Sequence, residues 1–319
     1  MNKSLVLGID IGGTNTKFGV VDSHGEILAQ GSIITCETDD PHHFINRLDQ
    51  ALKPLFDKFN HENFIGIGVG APNGNFYTGT IEMAPNLKWR GVVPLVSLIE
   101  NKFKLKTVLT NDANAAAIGE MIYGHAKGMK NFIVITLGTG LGSGIVVNGE
   151  LVYGHTGFAG ELGHVTVMPE GRLCDGGRKG CLETYASATG IVKTVKDLLK
   201  DSSETSSLRK IEEKDLRSKH ITEAALQGDA IALKAYDYTA AILGRALTDF
   251  VVFSSPEAIF LFGGLAQAKD VLFKPTKNYF ENNLMNVFKN TVKLLPSGLP
   301  ESDAAILGSA ALIAKTNRI

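Results

Sequence analysis

The chain repeats itself. Residues 6–28, VLGIDIGGTNTKFGVVDSHGEIL, and residues 132–152, FIVITLGTGLGSGIVVNGELV, share one plan: apolar strand, glycine turn, apolar strand, polar turn, third strand. Aligning Ile9 with Ile135 sets the copies about 125 residues apart, too long a period for a solenoid and suited to two related domains. A length of 319 residues points to the same count. Two similar halves predict a cleft between them.

Helical patterns follow each set of strands. Phe44, Leu48, Leu52, Leu55 and Phe59 recur at helical spacing, and Pro54 predicts a kink or an end in that helix. NDANAAAIGEMIYGHA, 111–126, follows the apolar strand TVLT and opens on Asn111 and Asp112 as capping residues. Residues 196–215 are polar and charged, a solvated loop with helix ends. Beyond them, 222–253 reads as helices broken near Gly228, PEAIFLFGGLA as a strand ending in paired glycines, and DAAILGSAALIAK as a final helix.

Charge excludes some partners. Lys plus Arg number 32 against 33 Asp plus Glu, with no basic stripe or polybasic tail, which argues against nucleic-acid or membrane binding through bulk charge. A small molecule is the expected partner. The start, MNKSLVLGID, has too short an apolar run for a signal peptide, and no segment approaches the ~20 apolar residues of a membrane span, so a cytoplasmic location is expected. In that reducing compartment a disulfide between Cys174 and Cys181 is disfavoured, leaving metal ligation or two ordinary thiols; Cys36 stands alone and reads as inert.

Neither glycine turn fits the commonest nucleotide signatures. A Walker loop needs GxxxxGK[ST] before a helix, whereas GGTNTKFGVV and GTGLGSGIVV lead into strands. The dinucleotide fingerprint fails because Ser143 stands where its third glycine belongs. What remains is a pair of hairpin turns whose backbone N–H groups suit a phosphate chain, with Thr14 and Thr139 as hydroxyl donors. Asp10 ends an apolar strand, where a nucleotide-bound magnesium would offset its burial. The competing reading is a carboxylate that caps its own turn.

DIGGTNTK, NDANAAA, LGTGLGSG, GELGH and CDGGRKGCLETYAS, in this order and spacing, resemble the ROK family of sugar kinases and sugar-responsive repressors, from about Leu5 to the last helix. The resemblance implies an α/β protein of two actin-like (ribonuclease H-like) domains with mixed sheets flanking a cleft for ATP, Mg2+ and a hexose. The implied division is 1–117 plus a C-terminal helix at about 304–319, and 118–303. Asp112 matches the family's catalytic base; at a helix N-terminus, which favours anions, it is expected to be ionised at neutral pH. Phosphoryl transfer asks mainly for alignment and charge neutralisation, so a modest base suffices.

The same resemblance implies further roles. Asp10, Gly12, Gly13, Thr14, Asn15, Lys17, Gly138, Thr139 and Gly140 fall on the ATP side, with Gly263 and Gly264 toward the adenosine. Asn111, Glu161, His164 and Glu183 match sugar-hydroxyl ligands, joined by Asn73, Gly74 and Asn86 from APNGN and APNLKW. Carboxylates and amides suit a diol, whose loss would leave a buried polar group unpaired. Family members carry CxCGxxGC and bind zinc with the histidine of GH, but here Gly176 replaces the second cysteine. His164, Cys174 and Cys181 remain, three ligands where a closed structural zinc site has four. Asp175 or water as the fourth ligand, and no metal at all, stay open.

The leading expectation is an ATP-dependent hexose kinase acting on glucose at the 6-hydroxyl. N-acetylglucosamine, N-acetylmannosamine, mannose and fructose remain alternatives, because one or two substituents separate them. A homodimer or homotetramer is implied by the resemblance. The rival of another class is a non-catalytic sugar-sensing regulator. A repressor needs a DNA-binding domain, and fewer than ten residues here precede Asp10.

Overall fold

The computed structural model describes residues 4–300 and 302–317; residues 318 and 319 of the expected last helix lie outside the described residues. The chain opens with β1 (Leu5–Ile11), β2 (Asn15–Val21), β3 (Ile27–Ile34), α1 (Pro41–Phe59) and β4 (Phe64–Gly70). Three short strands follow, β5 (Gly74–Asn75), β6 (Thr80–Glu82) and β7 (Val92–Val93), then α2 (Leu95–Phe103), β8 (Thr107–Thr110) and α3 (Asp112–Ile122). The opening plan returns as β9 (Phe132–Leu137), β10 (Leu141–Val147) and β11 (Glu150–Leu151). The rest comprises α4 (Ala188–Asp201), α5 (Ser218–Leu226), α6 (Ala230–Ser254), β12 (Ala258–Phe262), α7 (Asp270–Asn283), β13 (Lys293–Pro296) and α8 (Ala304–Asn317).

Two compact units result. The first takes residues up to 129, 144–160 and those from 297 on; the second takes 130–143 and 161–296, so the division falls inside β10. In the first unit the sheet order is β3-β2-β1-β4-β8, with β1, β2 and β3 antiparallel in turn and β4 and β8 parallel to β1. Leu7, Ile9, Val20, Ile67 and Val69 are fully buried in it. Gly68 lets α8 reach the sheet: a methyl group there would overlap the Ser309 carbonyl. Thus the sheet that ends at the first glycine turn is backed by the last helix of the chain.

Pro54 does not end α1, which runs on for 19 residues through it. The proline is exposed, and Phe44, Ile45, Leu48 and Leu52 bury the other face, so packing holds the helix through the missing hydrogen bond. α3 stops at Ile122, short of the expected 126. In the second unit β12 pairs in parallel with both β9 and β13, and α5 and α6 are separated at Gly228 as expected. Among the described residues, no helix is long and apolar enough to cross a membrane.

Candidate functional site

The first glycine turn joins β1 to β2. Gly12 donates its N–H to the Asn15 carbonyl at 3.0 Å. Thr35 then ties the turn to β3's end: its hydroxyl donates to the Gly12 carbonyl at 2.7 Å and its N–H to the Thr14 carbonyl at 2.9 Å. Gly13, Thr14, Asn15 and Lys17 are exposed, and the Asn15 side chain makes no hydrogen bond among the described residues. Thr35 was missed in the sequence because a lone threonine outside every motif gives no signal.

Asp10 stands just before this turn, paired across the strands with Lys17. Burial first, then the charge of Asp112, raises its pKa from 3.8 to about 7, while Lys17 works the other way. Asp112 opens α3. Its N-cap, Asn111, accepts from the Ala113 and Asn114 N–H groups at 2.8 and 3.2 Å, and Asp112 Oδ1 accepts from Ala113 N–H at 2.9 Å. Burial nevertheless raises the Asp112 pKa above 3.8, outweighing the backbone N–H groups that the sequence argument relied on. Protein packs closely around the carboxyl group, while the residue as a whole keeps an exposed side. Exposure also tempers the shift, because water solvates the charged form.

Other candidates in this unit gather around the same strand ends. Gly74 is buried against the Thr110 backbone, and Ala71 N–H donates to the Thr110 carbonyl at 3.0 Å, which pins APNG to the residue before Asn111. The Asn73 amide group donates to the Glu82 and Met83 carbonyls at 2.9 and 3.4 Å, so half of that side chain holds a loop rather than facing a ligand. Asn86 is exposed and lies against Gly13. Behind them Thr110 bonds to the hydroxyl of Tyr153, whose ring stacks on Phe76 at 4.1 Å. Neither aromatic stood out in the sequence, since their contact joins segments far apart in the chain.

The second glycine turn, Gly138–Thr139–Gly140, lies between β9 and β10. The start of α4 clasps it: Ala188 N–H donates to the Gly138 carbonyl and the Thr189 hydroxyl to the Thr139 carbonyl, each at 2.9 Å. Glu183 Oε2 accepts from Leu141 N–H at 3.0 Å, and a side chain on Gly140 would overlap that carboxylate. One candidate sugar ligand therefore touches the candidate phosphate turn. Gly263 packs on the Leu137 backbone beside this turn, and Gly264 begins a short 3₁₀ turn. Glu161 precedes another, Leu162–His164, held by a bond from Leu162 N–H to the Ser143 hydroxyl at 3.2 Å.

The cysteine segment forms a small hairpin, with Cys174 N–H donating to the Arg178 carbonyl and Gly180 N–H to the Arg172 carbonyl, each at 2.8 Å. Cys174 and Cys181 are buried and unbridged, with sulfurs 3.0 Å apart, and His164 Nδ1 lies 3.9 Å from the Cys174 sulfur. Ligand atoms of all three residues lie within 4.8 Å of one another. Burial opposes a charged Cys174, yet hydrogen bonds from Cys181, Arg178 and Gly176 and from His164 lower its pKa, while burial and the same pair raise that of Cys181. Two cysteine sulfurs and an imidazole are donors of the type zinc takes, but they are three of the usual four.

Two α/β units that repeat one plan of strand, glycine turn and strand define the actin-like class of fold. Within that class the chain belongs to the ROK family, whose pattern matches residues 6–316. It is 39% identical to a glucokinase of Halalkalibacterium halodurans, over 88% of this chain and 86% of the relative. A ROK glucokinase from Streptomyces griseus, solved with glucose and AMPPNP, superposes with a TM-score of 0.83 at 32% identity, covering 97% of this chain and 98% of that one. A xylose repressor of Bacillus spizizenii is 29% identical over 92% of this chain and 71% of its own length.

Proposed function

We propose that the protein is an ATP-dependent hexose kinase that phosphorylates glucose at the 6-hydroxyl, with Asp112 as general base. The reading rests above all on one pairing: the charge of Asp112, at the start of α3, raises the pKa of Asp10, at the end of β1, and burial raises the pKa of both. A carboxylate with a raised pKa is a better proton acceptor, and Asp112 keeps an exposed side. The similarity to glucokinases, one of them solved with glucose and AMPPNP, supports the substrate pair.

In this reading Asp112 takes the proton of the 6-hydroxyl as that oxygen bonds to the γ-phosphorus and the bond to ADP breaks. The turns at Gly12–Thr14 and Gly138–Gly140 hold the phosphates, and Gly263 and Gly264 lie toward the adenosine. Asn111, Glu161, His164 and Glu183 orient the sugar, with Asn73, Gly74 and Asn86 beside them. Mg2+ fits Asp10, whose buried carboxylate gains a counter-charge, and it would neutralise the phosphate oxygens. Zinc fits His164, Cys174 and Cys181, where it would stiffen the hairpin that leads to Glu183. A cytoplasmic homo-oligomer completes the reading.

ADP release measured over a panel of hexoses tests activity and substrate together. Turnover with glucose exceeding that with mannose, fructose and the N-acetylated sugars is expected. The likeness to a xylose repressor favours a second reading, a non-catalytic sugar sensor, and tight sugar binding without ADP release would select it.

A further inference from the structure

Thr110 ends β8 just before Asn111, the N-cap of α3, and it is held from three directions. Its carbonyl accepts from Ala71 N–H at 3.0 Å, just past the end of β4. Its hydroxyl accepts from the Asn114 amide at 3.3 Å, in the first turn of α3, and bonds to the hydroxyl of Tyr153, just past β11. Thr110 is 0% exposed, so its hydroxyl depends on these protein partners rather than on water. Asn114 is itself loosely held, since its Oδ1 is buried without a hydrogen bond among the described residues.

Tyr153 is the firmer tie. Its ring stacks on Phe76 at 4.1 Å and 9°, and the ring of Tyr77 meets it edge-on at 5.9 Å. The Tyr77 hydroxyl donates to the Gly154 carbonyl and the Asn75 amide to the Thr156 carbonyl, each at 2.9 Å, so the loops after β5 and β11 are joined beside the stack. Asn75 is buried and also accepts from Tyr77 N–H at 3.0 Å, which fixes the aromatic loop from within. Burial pushes the Tyr153 phenol above its ordinary value of 10, so its oxygen keeps its proton through the neutral range. A rigid ring thus presents a hydroxyl to the last residue of β8, two positions before Asp112.

We infer that Tyr153 is a positioning residue for Asp112: through the Thr110 hydroxyl it fixes the turn from β8 into α3, and with it the direction in which the carboxylate is presented. In this role it touches neither sugar nor phosphate. The inference rests on the proposed assignment of Asp112 as general base, whereas the bonds that carry it stand without that assignment. A reacting group misplaced by about 1 Å costs up to roughly 100-fold in rate, and loss of one tie among several should cost less.

The test uses three variants of the whole protein. Tyr153→Phe removes the hydroxyl and keeps the ring on Phe76, Thr110→Val removes the hydroxyl at the other end, and Thr110→Ser keeps it. With glucose and ATP, kcat should fall about tenfold in the first two while KM for glucose stays within about twofold, and Thr110→Ser should restore kcat to within about threefold of the parent. In an Asp112→Asn background Tyr153→Phe should cost less than about twofold more, because it acts through that carboxylate. Hydrogen exchange supplies a readout free of catalysis. The Ala113 and Asn114 amides, both bonded to Asn111 Oδ1, should exchange several-fold faster in Tyr153→Phe, with the Gly190 amide of α4 unchanged. Thr110→Val carries both comparisons should Tyr153→Phe misfold. Faster exchange in a protein that phosphorylates no hexose keeps the tie to α3 and removes the kinase reading. Unchanged exchange at Ala113 and Asn114, or an unchanged kcat, overturns the inference. So does a loss carried by KM, which would place Tyr153 against the sugar itself, or a full tenfold loss repeated on top of Asp112→Asn.

Discussion

The two glycine turns descend from one plan and differ in what stands behind them. In the first, Asp10 ends the strand and Asp112 raises its pKa, and Thr35 holds the loop by two bonds from an edge strand. In the second, Thr136 occupies the position of Asp10, and the loop is clasped by the start of α4 and by Glu183. Duplication supplied the backbone donors twice. The paired acids stand at one copy only, while the other is tied to the carboxylate of Glu183, the proposed sugar ligand. Under the proposed function, damage to the first turn's acids should therefore fall on turnover and damage to the second on sugar affinity.

The sharpest way to break that contrast is Asp112→Asn. Turnover should fall at least the roughly 100-fold typical of lost general-base assistance, with sugar binding nearly unchanged. Steady-state rates beside a sugar titration check it. Near-normal turnover removes Asp112 from the chemistry.

Next in size is a pair of alanines in the second turn. At Gly140 the added methyl group collides with the Glu183 carboxylate, whereas at Gly138 it would meet only the Gly140 carbonyl, at 4.0 Å. Gly140→Ala should raise the KM for sugar about tenfold, the equivalent of one well-made polar contact of about 1.4 kcal/mol, and Gly138→Ala should leave it within about twofold. Equal effects would mean that Glu183 does not link turn to sugar.

Much of this arrangement was legible in the chain. The repeat gave both hairpins because alternating apolar residues around glycine specify strand, turn and strand locally. Asn111 and Asp112 announced a helix start, since capping needs only the next three residues. What stayed hidden depended on distant partners. Pro54 inside α1 is tolerated because of residues packed on the opposite face, and the grip of Thr35 on Gly12 spans 23 positions. The sign of the Asp112 shift was hidden for the same reason: burial is a property of the whole fold, while the helix N-terminus is local.

Asp10 offers a smaller effect with a definite direction. Its pKa in the folded protein, about 7, lies above the value of 3.8 expected unfolded, so the stability tied to its protonated form is intact below pH 4 and lost as pH rises through 7. Asp10→Asn should accordingly melt higher than the parent, by about 1 kcal/mol of stability at pH 8 after allowance for partial solvation, with the gain vanishing toward pH 4. Thermal melts of the ligand-free proteins across that range decide it. A gain that grows toward acid would show that Asp10 is stabilised as a carboxylate.

The smallest effect on the sugar, and the most informative about the second turn, concerns Gly176. Its backbone is not in the left-handed region, and a side chain added there would meet the Cys174 sulfur at 3.7 Å and the His164 ring at 3.9 Å, ordinary contact distances that point a new thiol at the existing donors. Gly176→Cys should complete a four-donor zinc site without strain and slow metal loss to a chelator at least tenfold. Because Glu183 follows Cys181 by two residues and bonds to Leu141, a stiffer loop should also lower the KM for sugar, by about twofold. Elemental analysis before and after chelation, with sugar kinetics on the same samples, separates the two effects. Zinc held equally well by parent and variant would show that three donors already suffice. Tighter zinc with an unchanged KM would mean that the hairpin and the glycine turn are mechanically independent, and the second turn would then owe its shape to α4 and the Glu183 bond without help from the metal.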